Sequence, residues 1–187
     1  MNISEANMKV ADLLDEESAS EFASKLPAFY DYAQKQIATT VDPIEFDTVL
    51  ELTNSDETEI DLSDWLYTKE EKKLYKIRKI ITDGEYEHIY GNVFKFNAGT
   101  KYRLFLYIYP ETINNDTDLT HEFEISPEGQ SAILYYAAAQ VVLTDTDTRP
   151  YYALMDRYNN ILQNISDSRR ENVRLSVVKL GGVSSGV

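Results

Sequence analysis

Few side chains in the sequence are suited to chemistry, and each has an ordinary reading beside its chemical one. His88 and His121 are the only histidines and there is no cysteine. Thiol nucleophiles, disulfide frameworks, iron–sulfur clusters and cysteine-built zinc sites are excluded together. A zinc site would need both imidazoles plus carboxylates. His121 sits beside Glu122 and Glu124, but His88 alternates with Tyr86 and Tyr90 far upstream and reads as a surface histidine on a strand. Glu85 with Glu87, and Glu122 with Glu124, are pairs that a strand would place on one face, the layout of an acid and its partner in glycoside hydrolysis. In a chain with 32 acidic residues such pairs arise by chance. Asp116-x-Asp118 and Asp145-x-Asp147 have the spacing of cation ligands. Neither continues into the central glycine and closing glutamate of an EF-hand, so both read as turns and helix caps. No G-x-S-x-G, P-loop or G-x-G-x-x-G is present. The expectation is a protein that is not an enzyme, with no catalytic residues, no metal site and no cofactor.

Composition points the same way. The chain has 187 residues, 43% hydrophobic and 27% charged, which is ordinary globular composition and enough for one domain, or one plus an embellishment. No apolar run approaches a membrane span. The start, Met1-Asn2-Ile3-Ser4-Glu5, lacks the basic and apolar regions of a signal peptide, so a cytosolic site of synthesis is expected. The glycosylation-like triplets Asn115-Asp116-Thr117 and Asn164-Ile165-Ser166 then carry no meaning.

The net charge is −14, which argues against a protein that grips phosphates. The charge is also segregated along the chain: −13 over residues 1–66, +4 over 67–110, −8 over 111–168 and +3 over 169–187. The basic run holds Lys72, Lys73, Lys76, Arg78 and Lys79. It reads either as a solvated face or as a patch that meets acidic surface on a neighbouring copy.

Elements follow from periodicity. Residues 5–39 read as helical, capped by Ser4 and broken or kinked near Leu26 by Pro27. From Ile44 to Glu124 the period shortens to that of strands, giving an antiparallel β layer of five to seven strands. Asp83-Gly84 marks a hairpin, and Lys101–Ile108 marks a central strand covered on both faces. Ser126-Pro127-Glu128 starts a helix that is apolar all round as far as Leu143. A short connector with Pro150 leads to a second helix whose stripe is Tyr151, Leu154, Tyr158, Ile161 and Ile165, so the two form an antiparallel hairpin. After Ser166, Val173, Leu175 and Val177 alternate as in a strand, and residues 181–187 have linker composition. The tail would close the chain's own sheet or add an edge to a neighbour's.

From Lys73 to Ile165 the layout resembles the head-to-tail connector, or adaptor, proteins of tailed-bacteriophage necks. The parts that carry the resemblance are Leu106-Tyr107-Ile108-Tyr109-Pro110, the linker Asn114-Asn115-Asp116-Thr117-Asp118, the start Ile125-Ser126-Pro127-Glu128, and the hairpin from Ala132 through Tyr158-Asn159-Asn160-Ile161-Leu162. The resemblance implies a small helical body with a β insertion. It further implies a homo-oligomeric ring, commonly a dodecamer, that docks on the portal protein, meets other neck or tail proteins and leaves a channel through which DNA passes without specific binding. The location implied is the virion neck, after synthesis in the host cytoplasm, with no membrane involved.

The expected fold class is α+β. A helical segment (1–43) and a C-terminal helical hairpin (125–168) form one body, with a β-rich, sandwich-like insertion (44–124) and an extended C-terminal tail (169–187). Portal or neighbour contact is expected at Val173, Arg174, Leu175, Val177, Lys179 and Leu180. The basic run supplies the inter-subunit charge patch. The competing expectation is a non-catalytic binding module of β-sandwich type that recognises a protein or a glycan.

Overall fold

The computed structural model describes residues 1–15, 22–52, 58–97, 99–143 and 149–180, with only the backbone path given for 171–180. The fold is α+β, as expected, and divides into two units: Met1–Asp42 with Thr112–Val187, and Pro43–Glu111.

The first unit is helical. Helix α1 (Ile3–Leu13) is started by a capping box: Asn2 Oδ1 accepts the Glu5 N–H at 2.8 Å, and the Glu5 carboxylate accepts the Asn2 N–H at 3.3 Å. Asn2, not Ser4, is therefore the cap. Ser4 is already inside the helix and its N–H donates to Leu119 O. Helix α2 (Leu26–Thr40) has Pro27 in its first turn, so the proline opens a new helix and does not kink a longer one. Its buried positions, Leu26, Tyr30, Ala33, Gln34 and Ile37, recur every three or four residues. Helix α4 (Pro127–Val142) is capped by Ser126, whose Oγ accepts the Gly129 N–H at 3.1 Å. It packs against α1, α2 and α5, the helix Arg149–Leu180. That central position explains a segment with Ile133, Leu134 and three consecutive alanines buried. Burying one such aliphatic side chain contributes about 1.5–3 kcal/mol, more than a helix cap at about 1 kcal/mol. Packing thus outweighs local propensity here.

Residues 112–126 join this unit as a strap, though the sequence assigned 112–124 to the β insertion. Ile3 N–H donates to His121 O (3.1 Å) and Ser4 N–H to Leu119 O (2.9 Å), so the strap satisfies donors that α1 leaves unpaired, while Phe123 N–H donates back to Met1 O (3.3 Å). Fully buried Gln34 accepts the Glu124 N–H at 3.0 Å, and Tyr30 donates to Asn7 and meets Phe123 edge-on.

Among the described residues the second unit holds six strands in two three-stranded antiparallel sheets. These strands are β1 (Ile44–Glu51), β2 (Thr58–Asp61), β3 (Leu74–Ile81), β4 (Tyr86–Tyr90), β5 (Val93–Phe96) and β6 (Lys101–Ile108). Their orders are β1-β6-β3 and β2-β5-β4. Helix α3 (Leu62–Glu70), capped by Asp61, joins them. One core unites both sheets with α3, through Leu50, Leu62, Leu66, Phe96, Tyr102 and Leu104 among others. The Tyr102 hydroxyl accepts the Asn97 N–H at 2.9 Å and faces the carbonyls of Glu85 and Asn97, both at 3.0 Å.

Three expectations change. Asp83-Gly84 does not close a hairpin, because β3 pairs with β6 and β4 with β5. The turn is a crossover between sheets, and Gly84 packs closely there: a Cβ on it would stand 2.7 Å from Thr100 Cγ2, so a larger residue would displace the Thr100 side chain. Strand β6 is central but buried on one face only. Tyr102, Leu104, Leu106 and Ile108 point inward, while Lys101 and Arg103 are exposed. The chain after Ser166 is not extended but stays helical to Leu180. Nothing between Tyr151 and Leu180 breaks a helix, and strand-like alternation of valine and leucine is a weak preference beside a helix already propagating. Gly181-Gly182 supplies the first breaker, and residues 181–187 lie outside the described residues.

Candidate interaction surfaces

The charge segregation seen along the sequence becomes cross-strand pairing on the outer face of the β1-β6-β3 sheet. Register places Glu45, Asp47 and Glu51 of β1 opposite Tyr107, Phe105 and Lys101 of β6. Arg78 of β3 reaches over the Tyr107 ring to Glu45 (2.8 Å). Arg103 lies against Phe105 and pairs with Asp47 through two nitrogens, and Lys101 meets Glu51 at 2.8 Å. The Arg103 guanidinium holds the Asp47 carboxyl below the usual carboxylate range, and the Lys101 ammonium does the same for Glu51.

Of the expected basic patch, Lys72 pairs with Glu111 at 3.1 Å and Arg78 with Glu45, so both are engaged within their own unit. Lys76 and Lys79 are exposed on β3, and no carboxylate partner is seen for either among the described residues. Lys73 is exposed just before β3, and its carbonyl accepts the Tyr109 N–H.

Strand β4 is one edge of the second sheet, and all five of its residues are exposed, Tyr90 at 68%. His88 belongs to this edge. Its Nε2 lies 2.9 Å from Gly91 O and its ring packs on Phe94. His121, by contrast, lies in the strap of the helical unit. The two imidazoles are therefore carried by different units. Glu85 precedes β4 and Glu87 lies on it; Glu122 is exposed and Glu124 is tied to Gln34. Asp118 makes a turn, its carboxylate held low by the Thr120 N–H and hydroxyl, and Asn114 caps the turn containing Asp116. Asp145 and Asp147 lie outside the described residues. Among the described residues no three of His, Asp and Glu converge on a common point, and no helix is long and apolar enough to cross a membrane.

The helical unit carries two features that sequence reasoning missed. Asp42, 6% exposed, accepts the Ser126 N–H at 2.8 Å through one oxygen and Arg169 through the other. This carboxylate ties the end of α2 to the starts of α4 and, through Arg169, to the middle of α5. It floors a cleft of about 480 Å³ lined by Glu128, Ser131, Ile161, Asn164 and Ser168. Only the helix-ending Asp42-Pro43 was visible beforehand. The second feature is an aromatic row, Tyr32, Tyr136 and Tyr158, with ring centres 5.5 and 5.4 Å apart. Burial pushes the Tyr158 hydroxyl up to about 12, and among the described residues that hydroxyl has no hydrogen-bond partner.

The expected contact residues Val173, Arg174, Leu175, Val177, Lys179 and Leu180 are carried by the last three turns of α5. Arg169 stands at the N-terminal end of α4, so these turns run on past the hairpin.

Fold and surfaces together describe an α+β protein organised around charged sheet faces and an overrunning helix. No protein-family model matches the chain, and comparison with curated proteins finds no match.

Proposed function

We propose that the chain is a structural subunit of a homo-oligomeric ring, the head-to-tail connector of a tailed-phage neck. The observation that carries this reading is the arrangement of the helical unit. Both ends of the chain build it, the β unit is inserted between α2 and the strap, and α5 has 32 residues against 16 in α4. At about 1.5 Å per residue, α5 is roughly 48 Å long, and its residues beyond Arg169 overrun its partner by about 16 Å. Such an overrun supports a docking role toward the portal, and its sequence is basic over 169–180. The acidic balance supports a channel that repels phosphate and lets DNA slide. In this reading the protein is not an enzyme, needs no cofactor and resides at the virion neck. One observation favours a binding module instead: the exposed aromatic edge of β4 is a surface to which an extended peptide can add.

Light scattering and native mass spectrometry of the full chain, alone and mixed with a tailed-phage portal protein, test the proposal. A ring, or a stoichiometric complex with the portal ring, is the expected result. A chain that stays monomeric and ignores the portal overturns it.

A further inference from the structure

We infer that the two open edges of the β1-β6-β3 sheet dock a second copy of this chain head to tail, the β3 edge of one against the β1 edge of the next. The inference rests on the ring reading and names the surface that would set the ring's register.

The register supplies the argument. Strands β1 and β3 both run antiparallel to β6, so they run parallel to each other. Across the outer face three rows form: Lys76–Tyr107–Glu45, Lys79–Phe105–Asp47 and Ile81–Arg103–Val49. A neighbour placed alongside in the same orientation sets Lys76 beside its Glu45, Lys79 beside its Asp47, and Ile81 beside its Val49. The third row joins two apolar side chains that are otherwise in water, Ile81 at 44% and Val49 at 38% exposed.

The same charges exclude the alternatives. Two β3 edges would oppose lysines, and two β1 edges would oppose carboxylates, so a symmetric dimer through either edge is disfavoured. Only the unlike pairing attracts. Contacts between unlike patches build rings or open chains, not closed pairs. Lysines and the two bulges of β3 also hinder backbone pairing at that edge, and Lys69 Nζ already takes the Val49 carbonyl on β1 at 3.1 Å. The contact is therefore made by side-chain rows and not by a continued hydrogen-bond ladder. It fixes orientation and adds to a larger interface, since three rows fall well short of the area a stable complex buries.

Charge exchange tests this in the full-length protein. Lys76→Glu with Lys79→Glu makes both edges acidic, and Glu45→Lys with Asp47→Lys makes both basic. Each variant alone should need at least about ten-fold higher concentration to assemble than the wild type. An equimolar mixture should assemble again, because each variant then faces an oppositely charged edge. Circular dichroism and melting establish that both are folded. Should the second variant unfold, Glu45→Gln with Asp47→Asn replaces it, with partial recovery in the mixture as the expected result. Wild-type-like assembly of each variant, or folded variants that fail to recover on mixing, overturns the inference while leaving the ring reading intact. So does loss of portal capture with self-assembly unchanged, which would make these edges a portal surface. A wild-type chain that assembles neither alone nor on the portal protein overturns both.

Discussion

Replacing Asp42 by alanine should destabilise the helical unit far more than an ordinary surface change. The side chain is 7% exposed and holds two partners. Losing its oxygen leaves the Ser126 N–H without an acceptor, at about 1–3 kcal/mol. Losing the negative charge at the start of α4 removes about 0.3–1 kcal/mol of helix-dipole stabilisation. The Arg169 side chain is 42% exposed, so solvent screening reduces the ion pair to the surface range of about 0.2–1 kcal/mol. The adjacent cleft admits water that can take up part of the Ser126 deficit. The net expectation is about 2–3 kcal/mol, carried mainly by the backbone hydrogen bond. Asp42→Asn keeps one acceptor and should cost about 1 kcal/mol, and Arg169→Gln no more than that. Urea unfolding followed by far-ultraviolet circular dichroism measures these losses. Salt at about 1 M, where screening acts within about 3 Å, should shrink the Arg169→Gln effect and leave most of the Asp42→Ala effect. An Asp42→Ala cost below about 0.5 kcal/mol, the range of neutral surface changes, would refute the reasoning. An Arg169→Gln cost equal to it would show that the ion pair dominates instead.

Two buried tyrosines should respond oppositely to loss of their hydroxyls. Tyr102→Phe strands the Asn97 N–H and should cost about 1–3 kcal/mol in urea unfolding, whereas Tyr158→Phe removes an unpartnered hydroxyl and should be neutral or stabilising. With its folded-state value near 12, above the roughly 10 of an unfolded tyrosine, Tyr158 resists ionising in the fold, so stability is independent of this group below pH of about 10 and falls as pH rises toward 12. Tyr158→Phe should accordingly flatten the alkaline loss of stability. At the acid end, Asp47 is held low by Arg103, so its contribution is present above the ordinary carboxylate range near pH 4 and lost as pH falls through the lowered value. A nuclear magnetic resonance titration should find Asp47 returning to the ordinary range in Arg103→Gln; an unchanged midpoint would contradict the assigned cause.

What was legible in the sequence was local. Ser126-Pro127-Glu128 announces α4 because cap, proline and acid all act within one turn. The Tyr151–Ile165 stripe reads correctly because a helix face repeats every few residues, and Tyr158 and Ile165 are indeed buried. The alternation of Lys101–Ile108 identifies a central strand, but its apolar run hides that only one face is buried. What failed depends on partners distant in sequence. Asp83-Gly84 has hairpin composition, but which strands pair is decided by β6 and β5, not by the turn. The strap at 112–126 looked like an extension of the sheet because its partners, Met1 to Ser4, lie more than a hundred residues away. The basic run was visible, but its partial neutralisation by Glu45 and Glu111 was not, since that follows from sheet register and a long-range contact. The cap at Asn2 was missed because Asn and Ser are equally good at that position, and only the Glu5 reciprocal bond decides between them.

The split construction of the helical unit imposes an order on its birth. Residues 43–111 emerge from the ribosome as one contiguous stretch and can complete their sheets while the rest is still being made. Helices α1 and α2 emerge earlier but lack their main packing surface until α4 follows, about a hundred residues later. At roughly 5–20 residues per second, that wait lasts on the order of 5–20 s. Ile3, Val10, Leu26 and Ile37 stay without their final neighbours throughout it. A nascent chain stalled before Ser126 would thus hold a finished β unit and two sticky helices, a natural client for chaperones.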